Sequence, residues 1–120
     1  SAVKYEEKIY NVTVNVTGTN WQGLISAAAD SETEVFGDYI TDTNVFQVKD
    51  YLYFDFCNAT PVINSINVKY SIDDGEEILI FDESGGGGWA GIEGIGKYVY
   101  TFNIDKDCTI NIVANYTGRL

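Results

Sequence analysis

Between Tyr10 and Thr17 the chain alternates apolar and polar side chains at every step, with Tyr10, Val12, Val14 and Val16 set against Asn11, Thr13, Asn15 and Thr17. A period of two is that of a half-buried β-strand and places the first set on an inner face. Residues 109–116 repeat the pattern, with Ile110, Ile112, Ala114 and Tyr116 inward. In 66–72 the inward set is Ile66, Val68, Tyr70 and Ile72, and in 97–104 it is Tyr98, Tyr100, Phe102 and Ile104. Shorter apolar runs at 51–57 and 77–81 add two strands, and 45–49 is a weaker candidate. Turn chemistry separates them: Gly18-Thr19-Asn20, 58–61, Asp73-Asp74-Gly75, 84–96 and Asp105-Lys106-Asp107. Asp74-Gly75 reads as the turn of a β-hairpin.

Seven to eight short strands with turns between them predict an all-β fold, an antiparallel β-sandwich of Ig-like or jelly-roll-like kind, rather than βαβ units. The segment 24–36 is ambiguous. Leu24, Ile25, Ala28, Val35 and Phe36 fit a helical stripe, but Thr33 and Val35 disfavour a helix. One short helix or an irregular crossover between sheets is expected there. No repeat or linker interrupts the chain, so residues 1–120 read as one domain.

At 120 residues the chain has room for one modest core. Eighteen acids against seven bases give a net charge of −11, which disfavours nucleic acid and anionic membrane surfaces as partners. No apolar run approaches the ~18 residues of a membrane-spanning helix. The absence of His removes the commonest general base and metal ligand. Gly85-Gly86-Gly87-Gly88 lacks the Gly-Lys-Ser/Thr of a phosphate-binding loop. Paired carboxylates suit glycoside hydrolysis, but here the acids cluster in turns, where solvation explains them. The expectation is a protein that is not an enzyme and has no cofactor. Calcium is the one metal whose hard oxygen ligands are on hand, at Asp73, Asp74, Glu76 and Glu77 and at Asp105 and Asp107, although their spacing matches no helix-loop-helix site.

Two cysteines, Cys57 and Cys108, leave a disulfide and two free thiols equally open. Asn-x-Thr tripeptides begin at Asn11, Asn15, Asn58 and Asn115, and the Asn and Thr content of outward strand positions accounts for them without glycosylation. The chain has no Met, as expected of a mature product or of a domain excised from a larger exported protein.

Aromatic placement carries the functional expectation. Many rings, such as Tyr70, Phe102 and Tyr116, fall at inward strand positions and need no function. Trp21 and Trp89 instead sit beside glycines in predicted loops. Loops on a rigid scaffold carry function, and an exposed indole offers an apolar face with a polar edge. A pyranose ring matches it with a face of C–H groups and a rim of hydroxyls. The expected ligand-binding residues are therefore Trp21 and Trp89 for stacking, Asn20, Gln22 and Glu93 as polar neighbours, and Tyr39 as a further ring. The competing expectation is that the indoles fold back to cap an open end of the sandwich.

Three segments resemble the closing strands of bacterial surface Ig-like modules: Val68-Lys69-Tyr70-Ser71-Ile72-Asp73-Asp74-Gly75, Tyr98-Val99-Tyr100-Thr101-Phe102-Asn103-Ile104, and Thr109-Ile110-Asn111-Ile112-Val113-Ala114-Asn115-Tyr116. The chain is also similar to the β-sandwich carbohydrate-binding modules of secreted bacterial polysaccharide-degrading enzymes. The resemblance implies an extracellular or cell-surface bacterial protein whose partner is a neutral polysaccharide, bound without catalysis. Its alternative implication is a structural or adhesive module of a surface protein or phage particle.

Overall fold

In the computed structural model, residues 7–58, 63–84 and 96–118 are described. They form eight strands and one turn of 3-10 helix. The strands are β1 (Tyr10–Thr19), β2 (Ser26–Ala29), β3 (Thr43–Val48), β4 (Tyr51–Asp55), β5 (Ser65–Ile72), β6 (Ile78–Ser84), β7 (Val99–Asn103) and β8 (Cys108–Thr117), and the helical turn is Thr33–Phe36. A five-stranded sheet has the order β3-β1-β8-β5-β6, and a three-stranded sheet has the order β2-β4-β7. The chain changes sheet at nearly every connection. Only β5 and β6 are sequential neighbours, joined as a hairpin.

The alternating strands behave as their period demands. Val12, Val14 and Val16 of β1, Ile110, Ile112, Ala114 and Tyr116 of β8, and Ile66 and Val68 of β5 face inward. Opposite them lie Leu52 and Phe54 of β4, Phe102 of β7 and, just beyond β4, Phe56, all in one buried cluster. Aromatic edges lock the two sheets together. Tyr70 of β5 meets Phe102 of β7 with centroids 4.8 Å apart and planes at 88°, a pairing worth ~0.5–1.5 kcal/mol beyond its buried area.

Three details depart from the expectation. First, β1 and β8 pair in parallel, from Val12↔Cys108 to Thr19↔Asn115, while the other pairings are antiparallel. Alternation reports which side chains face inward but not which way a strand runs. Second, the ambiguous segment contains a strand, Ser26–Ala29. Its alanines carry no alternation because both faces are covered: Ala27 joins the core, and the 3-10 turn, with Val35 fully buried, packs against the strand. Third, the hairpin turns on Asp73 and Asp74, at φ 48° and 60°, with the Gly75 N–H donating to Ile72 O at 2.9 Å. Asp73 adopts the left-handed conformation expected of a short polar side chain, and its Oδ1 also accepts the Thr109 N–H at 2.8 Å.

The even choice between disulfide and thiols resolves to free thiols. Cys108 opens β8 opposite Val12, whereas Cys57 lies at the other end of that strand, where the Tyr116 hydroxyl donates to Phe56 O. From residue 108 to 116 a strand advances roughly 26 Å, against the ~7 Å limit between bridged Cα atoms.

Asp30 holds the abrupt corner between β3 and β4. Its carboxylate accepts the backbone N–H groups of Lys49 and Asp50 at 2.7 Å and of Tyr51 at 3.0 Å. Partial burial works against the charge, but these three donors prevail and hold the carboxyl below the usual carboxylate range.

Candidate functional site

The connection from β1 to β2 passes from one sheet to the other across an open end of the sandwich. Asn20 and Gly23 take positive φ values of 57° and 73°, and the Leu24 N–H donates to Trp21 O at 3.0 Å. This tight path drives Trp21, Leu24 and Ile25 into the core. Trp21 is 2% exposed. The expectation of an uncovered indole at position 21 is therefore corrected. A loop that bridges two sheets must seal the gap beneath it, and Trp21 is the large apolar group that does so. Asn20 serves the same connection, its side-chain amide donating to Tyr116 O at 3.2 Å. Trp89 and Glu93 lie outside the described residues.

Tyr39 does present a ring to water. It bridges Ser26 of β2, its side chain is half exposed, and its hydroxyl donates to Asn58 O at 2.7 Å. Asn58 is itself fixed, since its side-chain amide donates to Ser26 Oγ at 3.1 Å and Phe36 O at 3.2 Å. The buried amide of Asn58 is thus unavailable to a glycan. Beyond Tyr39 the chain runs through Ile40, Thr41 and Asp42 into β3. Asn44 staples this stretch by accepting the Thr41 N–H at 2.8 Å and donating to Thr41 O at 2.6 Å. The Val16 N–H donates to Asp42 O at 2.9 Å, which ties the stretch to β1.

A groove of about 550 Å³ runs between these two segments, lined by Trp21, Gln22, Gly23, Tyr39, Ile40, Thr41, Asp42 and Thr43. Trp21, Gln22 and Tyr39, three of the residues singled out by sequence, meet there. Its remaining wall, from Thr41 to Thr43, gave no sequence signal. Those residues become a wall only because β3 pairs with β1, with Thr43 opposite Asn15. Other rings are open to solvent away from the groove, among them Phe36 on the 3-10 turn, and Tyr51 and the half-buried Tyr53 on β4 with centroids 6.0 Å apart.

The calcium candidates are dispersed among protein partners. Asp73 is engaged by Thr109 and lies 3.5 Å from Lys106, Glu77 pairs with Lys69 at 3.5 Å, and Asp107 Oδ1 accepts the Asn11 N–H at 2.9 Å. Among the described residues no three acidic or cysteine side chains converge on a metal-sized point.

Asp55 stands apart as a fully buried carboxyl. Its Oδ1 accepts the Cys57 N–H at 3.0 Å, and its Oδ2 has no hydrogen-bond partner among the described residues. Burial raises its pKa despite nearby backbone N–H groups of Cys57 and Gly96. Burial and this neighbouring carboxylate push the Cys57 thiol up to about 11, so it is protonated and unreactive at neutral pH. The folded state therefore holds the Asp55 proton more tightly than the unfolded chain does. That contribution to stability is complete below the unfolded carboxylate pKa and fades as pH rises through the raised folded value. Asp55→Asn, uncharged at every pH, is expected to be more stable than the parent at pH 7 by about 1 kcal/mol. The gap should narrow at pH 4. Urea denaturation at both pH values checks this, and an equal gap at both would contradict it.

Compared with protein-family profiles, with curated proteins and with solved structures, the chain matches none. The fold by itself defines the class: an all-β, two-sheet sandwich with a groove across one end.

Proposed function

We propose that this domain binds neutral carbohydrate without altering it, as a module of a secreted bacterial protein, and that Tyr39 is the stacking ring. The observation that carries this is the fixed, half-exposed ring of Tyr39 on the wall of a groove whose rim offers Gln22, Thr41, Asp42 and Thr43. The hydrogen bond to Asn58 holds the ring in place before a ligand arrives, so little ordering cost remains on binding. Amide, hydroxyl and carboxylate groups around one aromatic face are the set a polyol requires. The excess of acids on the chain leaves neutral sugars unaffected and repels polyanions. A weak stacking contact of this kind becomes useful when it tethers an attached enzyme or cell to an insoluble polymer.

Affinity electrophoresis in gels containing soluble glucans or mannans tests the proposal. The parent protein is expected to be retarded. Tyr39→Phe, which loses only the hydroxyl, should remain retarded and be destabilised by about 1 kcal/mol. Tyr39→Ala should migrate as in a sugar-free gel while remaining folded by circular dichroism. A parent protein that no polysaccharide retards would end the proposal.

The burial of Trp21 favours a second reading, that of a structural or adhesive module whose aromatics are packing. In that case no sugar retards the parent, and Tyr39→Ala alters stability alone.

A further inference from the structure

The groove beside Tyr39 does not stop at Trp21. A second hollow of about 490 Å³ abuts it and is lined by residues 15–18 of β1 (Asn15, Val16, Thr17 and Gly18) together with Trp21, Gln22, Asp42 and Thr43. The last four line both hollows, so the two are halves of one groove with Gln22, Asp42 and Thr43 at its waist. Each half falls within the ~300–1,000 Å³ typical of small-ligand sites.

The far half opens toward the outer face of the five-stranded sheet. The outward positions of β1 there are Asn11, Thr13, Asn15, Thr17 and Thr19. Those of neighbouring β8 are Thr109, Asn111, Asn115 and Thr117, with Val113 the one apolar member. No acid occurs among them, in a chain that carries 18 acidic residues. Asn is disfavoured in strands, yet it recurs here, with Asn15 donating to Asn111 Oδ1 at 3.3 Å. Asp42 is the ionisable group at the waist.

We infer that, if the carbohydrate reading on which this rests holds, the ligand is the interior of a linear, uncharged glycan. The chain crosses the waist, with one ring against Tyr39 and further units over Thr17 and Asn15. The two halves have different chemistry. Among the described residues the near half supplies the exposed aromatic face, that of Tyr39. The far half supplies hydroxyls and amides, which hydrogen-bond a polyol, and its lining holds no Lys or Arg to pair with an acidic polymer. The Asp42 carboxylate at the waist accepts from hydroxyl pairs and repels uronic acids. A single stacked ring gives little affinity because association costs so much. Useful binding has to come from several units engaged together, and affinity must then grow with chain length.

Titration calorimetry of the parent protein with cello-, manno- and xylo-oligosaccharides, disaccharide against pentasaccharide, decides it. In the series that binds, the pentasaccharide should bind about tenfold or more tightly than the disaccharide, a step of ~1.4 kcal/mol. Thr17→Ala should bring the pentasaccharide down toward the disaccharide value, and Thr17→Ser should restore most of the difference. Melting temperatures of both variants verify that the sheet is intact. Tyr39-dependent binding with equal affinity for the two lengths would overturn the extended site and leave the carbohydrate reading standing. Preferential binding of oligogalacturonate would overturn the assignment of an uncharged ligand. Failure of every oligosaccharide to bind would remove both proposals together.

Discussion

Trp21→Ala is expected to cost about 3–5 kcal/mol of stability, the range for deleting a large buried aromatic side chain. The indole is 2% exposed and lies with Leu24 and Ile25 in the same core cluster as Val16 and Tyr116. Truncation leaves a cavity under a loop that already takes positive φ at Asn20 and Gly23, and so has little freedom to collapse. A typical domain is stable by ~5–15 kcal/mol, so the loss removes a large share of the total. Urea denaturation should show a lower midpoint with an unchanged slope. Fluorescence gives an independent measure, because the chain has two tryptophans and Trp89→Phe leaves Trp21 alone. Its emission should be blue-shifted and shielded from acrylamide. Free quenching of Trp21, or a melting temperature unmoved by Trp21→Ala, would return the indole to the surface and reopen stacking at that position.

Gly18→Ala is expected to destabilise the domain by about 3 kcal/mol or more, combining backbone strain with overpacking. Gly18 has φ +125°, a conformation that L side chains rarely adopt, and a Cβ placed there would lie 1.9 Å from Ala114 O. The obstructing atom is a backbone carbonyl of β8, so no side chain can swing aside. The residue sits where β1 and β8 run in parallel, with Gly18 opposite Ala114. Relief requires the two central strands of the large sheet to separate. The same denaturation experiment checks it, and a change within about 0.5 kcal/mol, the usual scatter for surface substitutions, would contradict the close approach of these strands.

Much of the fold was legible because a strand that buries one face writes a period of two into the chain. The residues expected inward in β1, β5 and β8 are the inward ones, and seven of the eight strands have a counterpart in the alternation or apolar runs. Ser26–Ala29 was hidden because a strand covered on both faces has no period to read. The parallel pairing of β1 with β8 was hidden because inward and outward positions are the same for either direction.

The site was legible in part. Gln22, expected as a polar neighbour of Trp21, and Tyr39, expected as a further ring, both line the groove. Trp21 lines the groove too, but its indole is buried and is not the exposed ring its setting led one to expect. Glycines beside an indole mark a tight turn, but they do not say whether the turn points the ring outward or folds it over the core. Thr41, Asp42 and Thr43 carried no mark, since they acquire a role only through the register that sets Thr43 opposite Asn15.

By itself, then, the order of residues determined the layers, the inner faces and an acidic exterior, because burial and charge are properties of single positions and their spacing. Strand direction, the separation of Cys57 from Cys108, the sealing of Trp21 and the joining of two hollows at Asp42 were decided by the tertiary structure alone. Each of these depends on which distant segments become neighbours, and long-range pairing leaves no local trace in a chain of alternating strands.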